Sequence, residues 1–221
     1  MLREFENFYL AIWVNDSPRM NTYASAHDQI KAVRDGKSSS RQLVEAALDR
    51  IENIDSSGYE LNSVLALAPR ARENAEHIDV TLPLAGLPLL IKDNIEAVGL
   101  PGTAGSLALA KYPVERDSPI VSRLRAAGAQ IIGATNLSEW ANIRSTNSTS
   151  GWSGVGGLTA NPWKHAHSAG GSSSGSGAAI SAGLVSLAVG TETDGSIVCP
   201  ASLNGCVGIK PTVGSVPRIE V

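Results

Sequence analysis

The chain has 221 residues, of which 43% are hydrophobic, 18% charged and 5% aromatic, which suits one large domain or two small ones. Its 18 lysines and arginines are outnumbered by 21 acidic residues, and the net charge of -3 disfavours general nucleic-acid binding. The mean hydropathy is zero and every apolar run is far shorter than the ~18 residues of a spanning helix, so we expect no membrane association.

The N-terminal segment has no clean structural period. Residues 1–22 are interpreted as an extension of uncertain structure, and residues 23–221 as one domain. The apolar stretch at residues 8–14 follows acidic residues rather than a cationic region, so we expect no secretory signal. The only cysteines, Cys199 and Cys206, are too few for a disulfide framework or a four-ligand zinc site, which favours a reducing cytoplasm.

Two helices are predicted at the start of the domain. Ile30 and Val33 share one face of a short helix, and Gly36 ends it. Ser39 and Gln42 have the spacing of a capping box, and the apolar residues that follow recur at helical intervals. The sequence therefore predicts a second helix that begins at Ser39.

The middle of the chain alternates between strands and helices. The patterns predict a strand at 63–67, a helix at 69–78, and buried strands at 87–91, 130–134 and 184–189. Between the strands at 87–91 and 130–134, Ser118 and Pro119 have the residue types of an N-cap and a first helical position. A buried strand, a helix and a buried strand in this order indicate a βαβ crossover. The predicted class is α/β, with a mixed, largely parallel sheet flanked by helices.

Two segments have competing interpretations. Lys92 follows a buried strand: most lysines in such positions are solvated, but one among apolar residues can lose its proton and act as a base. The glycine- and serine-rich segment at 170–177 has the composition of a flexible linker, although it leads into apolar residues that must pack. A phosphate-binding loop is a weaker interpretation, because no Gly-Lys-Ser/Thr end follows the glycines.

A third segment places Ser196 directly after Asp194 and Gly195. An ordinary turn serine is the simpler interpretation, but successive backbone N–H groups here can converge on one point and stabilise an oxyanion. A serine hydroxyl is a poor nucleophile until a base takes its proton, so serine together with lysine suggests acyl transfer. None of the histidines has the spacing of a Ser-His-Asp set or of a metal site, and all four are interpreted as structural or solvated: His27, His77, His165 and His167.

These segments resemble the amidase signature family, whose Ser-Ser-Lys hydrolases cleave carboxylic amides. The resemblance runs from about residue 24 to residue 214 and includes several motifs in the family's order: Lys-Asp-Asn at 92–94, Thr-Asn-Leu-Ser-Glu-Trp-Ala-Asn at 135–142, the glycine and serine segment, and Gly-Cys-Val-Gly-Ile-Lys-Pro-Thr at 205–212. It implies the amidase signature fold, with Lys92 as the base, Ser172 as a bridging serine in a cis peptide, and Ser196 as the nucleophile.

The resemblance also implies the remainder of the site. The backbone N–H groups of Thr193, Asp194, Gly195 and Ser196 would form the oxyanion hole, and Ser173 would contact the substrate. No metal ion or organic cofactor is implied, and the expected partner is a small-molecule or peptide amide. Because the base must be a neutral amine, we expect hydrolysis to rise from acid towards roughly pH 8–9.

The chain departs from the usual family pattern near the nucleophile. The common block is Asp-x-Gly-Gly-Ser, whereas this chain has Glu192 and Asp194 in the corresponding places, and Val198 where arginine often follows. The variant is most similar to the peptide amidase branch, which removes C-terminal amides from peptides. It is less similar to the branch of the family in which amidotransferases act on charged tRNA.

Length is the larger departure, because family members continue well past the Lys-Pro-Thr motif at 210–212. We expect a truncated domain whose uncovered sheet edge allows self-association. The alternative hypothesis is a truncated, non-catalytic amidase-like protein that acts as a binding module or has no independent function.

Overall fold

The computed structural model of the protein describes residues 23–219. The predicted extension at residues 1–22 lies outside the described residues. Helix α1 (Ala26–Arg34) ends shortly before Gly36, and α2 (Ser40–Arg50) begins at the predicted capping box. In that box the Ser39 hydroxyl accepts from the Gln42 N–H, and the Gln42 side chain accepts from the Ser39 N–H. Both predicted helices are therefore confirmed.

The remaining helices are shorter. They are the π-helix Ile51–Ser56, α3 (Ala71–Asn74), α4 (Pro119–Ala126), the 3₁₀ helix Glu139–Asn142, α5 (Ser174–Ser181) and α6 (Val198–Asn204). Ser118 precedes α4 at the N-cap position, as predicted, but its side chain makes no capping hydrogen bond.

Four strands form the main sheet in the spatial order β1, β3, β2, β6. Their bounds are β1 (Val64–Leu67), β2 (Pro88–Lys92), β3 (Gln130–Thr135) and β6 (Ala188–Val189), and a separate hairpin contains β4 (Trp152–Ser153) and β5 (Gly157–Leu158). Strand β2 is parallel to both β3 and β6, whereas β1 is antiparallel to β3. The predicted mixed, largely parallel sheet is confirmed.

Apolar side chains cover both faces of the sheet, because successive residues of a strand point to opposite faces and the residues on both faces are apolar here. Leu90 of β2 and Ile132 of β3 lie on one face, in a cluster with residues of α2 and α5. Leu89 and Ile91 lie on the opposite face, in a cluster that includes Val121 of α4. Helices therefore flank the sheet on both sides.

Two predicted elements are much shorter than expected. The helix predicted at 69–78 is only α3: Ala71 and Ala75 pack into the cluster beside α2, and Ile78 packs against the cluster around Val33 from outside the helix. The strand predicted at 184–189 is only β6, because Leu184 is buried beneath α5 and its N–H bonds to the Ala179 carbonyl.

No helix within residues 23–219 has the length and the apolar character needed to cross a bilayer.

Candidate active site

The candidate site lies where the parallel strands end. Lys92 is the last residue of β2, and Thr191 lies two residues beyond the end of β6, which is paired to β2. Parallel strands bring their carboxyl ends to one edge of a sheet, so side chains distant in sequence meet there. Ligands commonly bind at this edge in α/β folds.

The Lys92 side chain is completely buried. Its Nζ lies 2.7 Å from Ser172 Oγ and 2.8 Å from Thr191 Oγ1. The carboxylate of the neighbouring Asp93 is bound elsewhere, by the N–H groups of Gly102 and Thr103. Within the described part of the chain no carboxylate forms an ion pair with Lys92, and burial lowers the pKa of its amine from 10.5 to about 7. The desolvated interpretation of Lys92 fits this environment, and the solvated one does not.

Ser172 follows a cis peptide bond from Gly171, as the resemblance implies. The serine is buried, and its carbonyl accepts a hydrogen bond from the Ser138 N–H at 3.0 Å. The Ser138 hydroxyl in turn accepts from the Gly151 N–H at 2.8 Å. These contacts hold the Ser172 carbonyl through Ser138, which is itself bonded to Gly151.

The linker interpretation of residues 170–177 is wrong. Most of the segment is buried, and its last four residues form the first turn of α5. The Gly175 N–H donates to the Asn136 carbonyl at 3.0 Å, just beyond the end of β3. The segment is thus part of the folded core and places Ser172 beside Lys92.

Replacement of Gly175 by alanine is expected to destabilise the fold strongly. An added Cβ would overlap backbone atoms of Ser63 and Asn136, which cannot move independently of the sheet. We expect a loss of about 3 kcal/mol or more in urea unfolding. Gly99→Ala is the control: alanine is strained at the positive φ of this position, but no atom lies within 4 Å of the added Cβ, so the loss should be about 1 kcal/mol. Equal losses in both variants would contradict the packing argument.

Ser196 lies in the loop at residues 191–196, which connects β6 to α6. Its side chain is half-buried, and its carbonyl accepts from the Ser173 N–H at 3.1 Å. The backbone next to Ser172 therefore holds the backbone of Ser196. Within residues 23–219 no hydrogen bond joins the hydroxyls of Ser172 and Ser196 themselves.

The Ser173 side chain is occupied inside the protein. Its hydroxyl donates to the Thr191 carbonyl at 3.1 Å and accepts from the Thr191 N–H at 3.2 Å. It is almost fully buried. Ser173 therefore ties the 191–196 loop to the start of α5, and its contact with substrate stays a prediction.

The N–H groups predicted to form the oxyanion hole lie in the same loop. Among the described residues, those of Thr193, Asp194 and Ser196 donate no hydrogen bond to the backbone, so they are available to an incoming oxygen. The Gly195 N–H is directed towards the Glu192 carboxylate, which makes it less available for this role.

Thr191 and Asn94 belong to the site but were not predicted from the sequence. Thr191 Oγ1 contacts Lys92 Nζ, as described above, and accepts from Asn94 Nδ2 at 3.1 Å. Asn94 lies within the Lys-Asp-Asn motif, which was a usable signal. A threonine after a glycine has no distinctive pattern, so only the fold places Thr191 beside the lysine.

The described residues contain no group of three His, Cys, Asp or Glu side chains placed to hold a metal ion. His165 packs edge-on against the ring of Tyr59, with centroids 5.6 Å apart. Both cysteines are free thiols.

A buried lysine bonded to a serine that follows a cis peptide, with a second serine on a neighbouring loop, is the arrangement of the Ser-Ser-Lys class. The sequence profile of the family described as Amidase matches residues 42–221. The chain belongs to the amidase family.

Individual relatives agree with this assignment. The crystal structure of the native peptide amidase from Stenotrophomonas maltophilia superposes with a TM-score of 0.86 at 48% identity, over 89% of this chain and 42% of that one. A peptide amidase in complex with the competitive inhibitor chymostatin gives the same values. A probable amidase of Arabidopsis thaliana is 42% identical over 208 residues, which are 90% of this chain and 40% of that protein.

Relatives of another kind also match. A glutamyl-tRNA(Gln) amidotransferase polypeptide of Deinococcus radiodurans is 38% identical over 205 residues, which are 90% of this chain and 41% of that protein. The chain thus spans about two fifths of the length of the relatives it matches.

Proposed function

We propose that the protein hydrolyses carboxylic amides through Lys92, Ser172 and Ser196. The observation that carries the proposal is the 2.7 Å contact between Lys92 Nζ and Ser172 Oγ, in a buried environment where no described carboxylate pairs with the lysine. A lysine with a pKa of about 7 is largely neutral at slightly alkaline pH, so it can accept a proton from a serine.

In the proposed mechanism, Ser196 Oγ attacks the amide carbonyl while its proton passes to Ser172 Oγ and the Ser172 proton passes to Lys92 Nζ. Backbone N–H groups of the 191–196 loop stabilise the negative oxygen of the tetrahedral intermediate. The C–N bond then breaks, the proton returns through Ser172 to the departing ammonia or amine, and an ester remains on Ser196. Water attacks this ester by the same relay and releases the carboxylic acid.

C-terminal peptide amides are the proposed substrate class. The support is the 48% identity with a peptide amidase, together with the inhibitor complex of such an enzyme. We propose a cytoplasmic location, and the support for it is that both cysteines are free thiols.

The proposal is tested by incubating the 221-residue protein with a C-terminally amidated dipeptide and measuring ammonia. Release of ammonia with formation of the free acid supports it. The same dipeptide with a free C-terminal carboxylate serves as the control substrate. Absence of turnover, together with absence of acylation by an active-site serine reagent, would favour the non-catalytic alternative.

Self-association is proposed as a second property of the chain. Within the described residues β6 has one neighbouring strand, and several large apolar side chains near it or in α6 and beyond are exposed: Leu187, Val198, Leu203, Val207, Ile209 and Val213. We expect the apparent mass in size-exclusion chromatography to rise with protein concentration. Leu187→Glu should reduce this rise, whereas Leu107→Glu, at an exposed leucine outside these segments, should not. A monomer at every concentration would refute self-association.

A further inference from the structure

Glu192 has an unusual position for a carboxylate: it lies inside the 191–196 loop but bonds to residues beyond the loop. Its Oε2 accepts from the Ile197 N–H at 2.7 Å and from the Val198 N–H at 3.0 Å. Both N–H groups belong to the start of α6, which has no side-chain cap from its own N-cap residue. The carboxylate therefore closes the loop that carries Ser196.

Contacts that do not involve Glu192 hold both ends of the loop. Thr191 is bonded through its backbone to the Ser173 hydroxyl and through its side chain to Lys92. The Ser196 carbonyl is bonded to the Ser173 N–H. Between these anchors, the Gly195 carbonyl accepts from the Cys199 N–H at 2.8 Å, and the Gly195 N–H is directed towards Glu192. Glu192 is thus the side chain within the loop that bonds both to the middle of the loop and to the start of α6.

Charge makes these bonds stronger than ordinary backbone contacts. Partial burial raises the pKa of Glu192, but hydrogen bonds from the Val198, Ile197 and Gly195 N–H groups outweigh it, and the net pKa lies below its ordinary value. The nearby Lys210 ammonium acts in the same direction. The side chain is thus an anion at neutral pH, and bonds from N–H groups to an ionised acceptor are roughly twice as strong as neutral ones.

We propose that Glu192 is a positioning residue, which fixes the shape of the 191–196 loop and through it the place of the Ser196 hydroxyl and the free N–H groups. It acts through the backbone and does not itself touch the reacting atoms. The role of the loop in catalysis rests on the proposed amide hydrolysis, whereas the shape of the loop does not.

The length of the side chain matters in this arrangement. Where the common family block has aspartate, this chain has glutamate, which is one methylene longer and reaches two N–H groups across the loop. Glu192→Asp should lose at least one of the two bonds. Glu192→Gln keeps an acceptor oxygen of the same reach but removes the charge. The two variants separate the contribution of length from that of charge.

Hydrogen–deuterium exchange tests the loop shape without any need for activity. In the wild-type chain the Ile197 and Val198 amides should exchange slowly, and Glu192→Ala should speed their exchange by about tenfold or more. Glu192→Gln should give a smaller increase in the exchange rate of these amides. If the alanine variant does not fold, the glutamine variant tests whether Glu192 fixes the loop. Glu115→Ala, at an exposed glutamate, is the matched control and should leave this exchange unchanged.

Kinetics test the link to the reaction. With an amidated dipeptide, Glu192→Ala should lower kcat by about 10- to 100-fold with little change in KM, and Glu192→Gln should restore part of the loss. Unchanged exchange in Glu192→Ala, or a raised KM with unchanged kcat, would overturn the positioning role. A wild-type chain that neither hydrolyses amides nor is acylated would instead refute the proposed function, and the exchange measurement would still decide the shape of the loop.

Discussion

Ser196→Ala is expected to abolish both amide hydrolysis and covalent labelling by a fluorophosphonate. In the proposed mechanism Ser196 Oγ forms the only covalent bond to the substrate, and no other side chain can replace that bond. We expect kcat to fall by a factor of about 10³ or more, as in other enzymes that lose a nucleophilic serine. Mass spectrometry of the wild-type protein should show one label, carried by the peptide that contains Ser196.

The matched control is Ser202→Ala, which removes an exposed hydroxyl in α6 and should leave turnover and labelling intact. A label on another serine would reassign the nucleophile. Unchanged hydrolysis in Ser196→Ala would show that the reaction does not pass through an ester at this position.

Lys92→Met is expected to have the second largest effect. Only a neutral amine can take the Ser172 proton, so replacement by an apolar side chain of similar length should lower kcat by about 10²- to 10⁴-fold. Burial sets the pKa of the Lys92 amine to about 7. Below that pH the group is an ammonium ion and cannot act as a base. The rate of the wild-type protein should therefore rise with pH through a midpoint near 7.

Lys111→Met, at an exposed lysine, should keep both the rate and the pH profile. Lys92→Arg should be as inactive as the methionine variant, because guanidinium does not lose its proton in this range. A flat profile for the wild-type protein, or substantial turnover by Lys92→Met at neutral pH, would remove Lys92 from the proposed role.

The helices and strands that could be predicted correctly are those with local signals. The capping box at Ser39 and the wholly apolar run at 87–91 each specify their element with residues close in sequence. The helix predicted at 69–78 and the strand predicted at 184–189 are longer than α3 and β6, because Ile78 and Leu184 pack against apolar clusters from outside those elements. Periodicity shows that a residue is buried but does not identify its neighbours.

The site residues also divide into those with a recognisable motif and those without one. Lys92 and Ser172 could be proposed from motifs, and the structure places them in contact although 80 residues separate them. Thr191 could not be found in this way, and Glu192 was visible only as a departure from the common block before the nucleophile. The importance of both depends on the groups that face them, which are the Lys92 amine for Thr191 and two backbone N–H groups for Glu192. The sequence does not identify these partners.

The buried lysine has a consequence for how the sequence can drift. Between pH 7 and the ordinary pKa of 10.5, an unfolded chain holds a proton on Lys92 that the folded chain lacks, so burial of this amine destabilises the fold. The penalty is complete below pH 7, decreases progressively as the pH rises from 7 to 10.5, and is absent above that range. Each pKa unit corresponds to about 1.4 kcal/mol, so the penalty amounts to several kcal/mol at neutral pH. Random substitution without selection for a base at this position would therefore lead away from lysine.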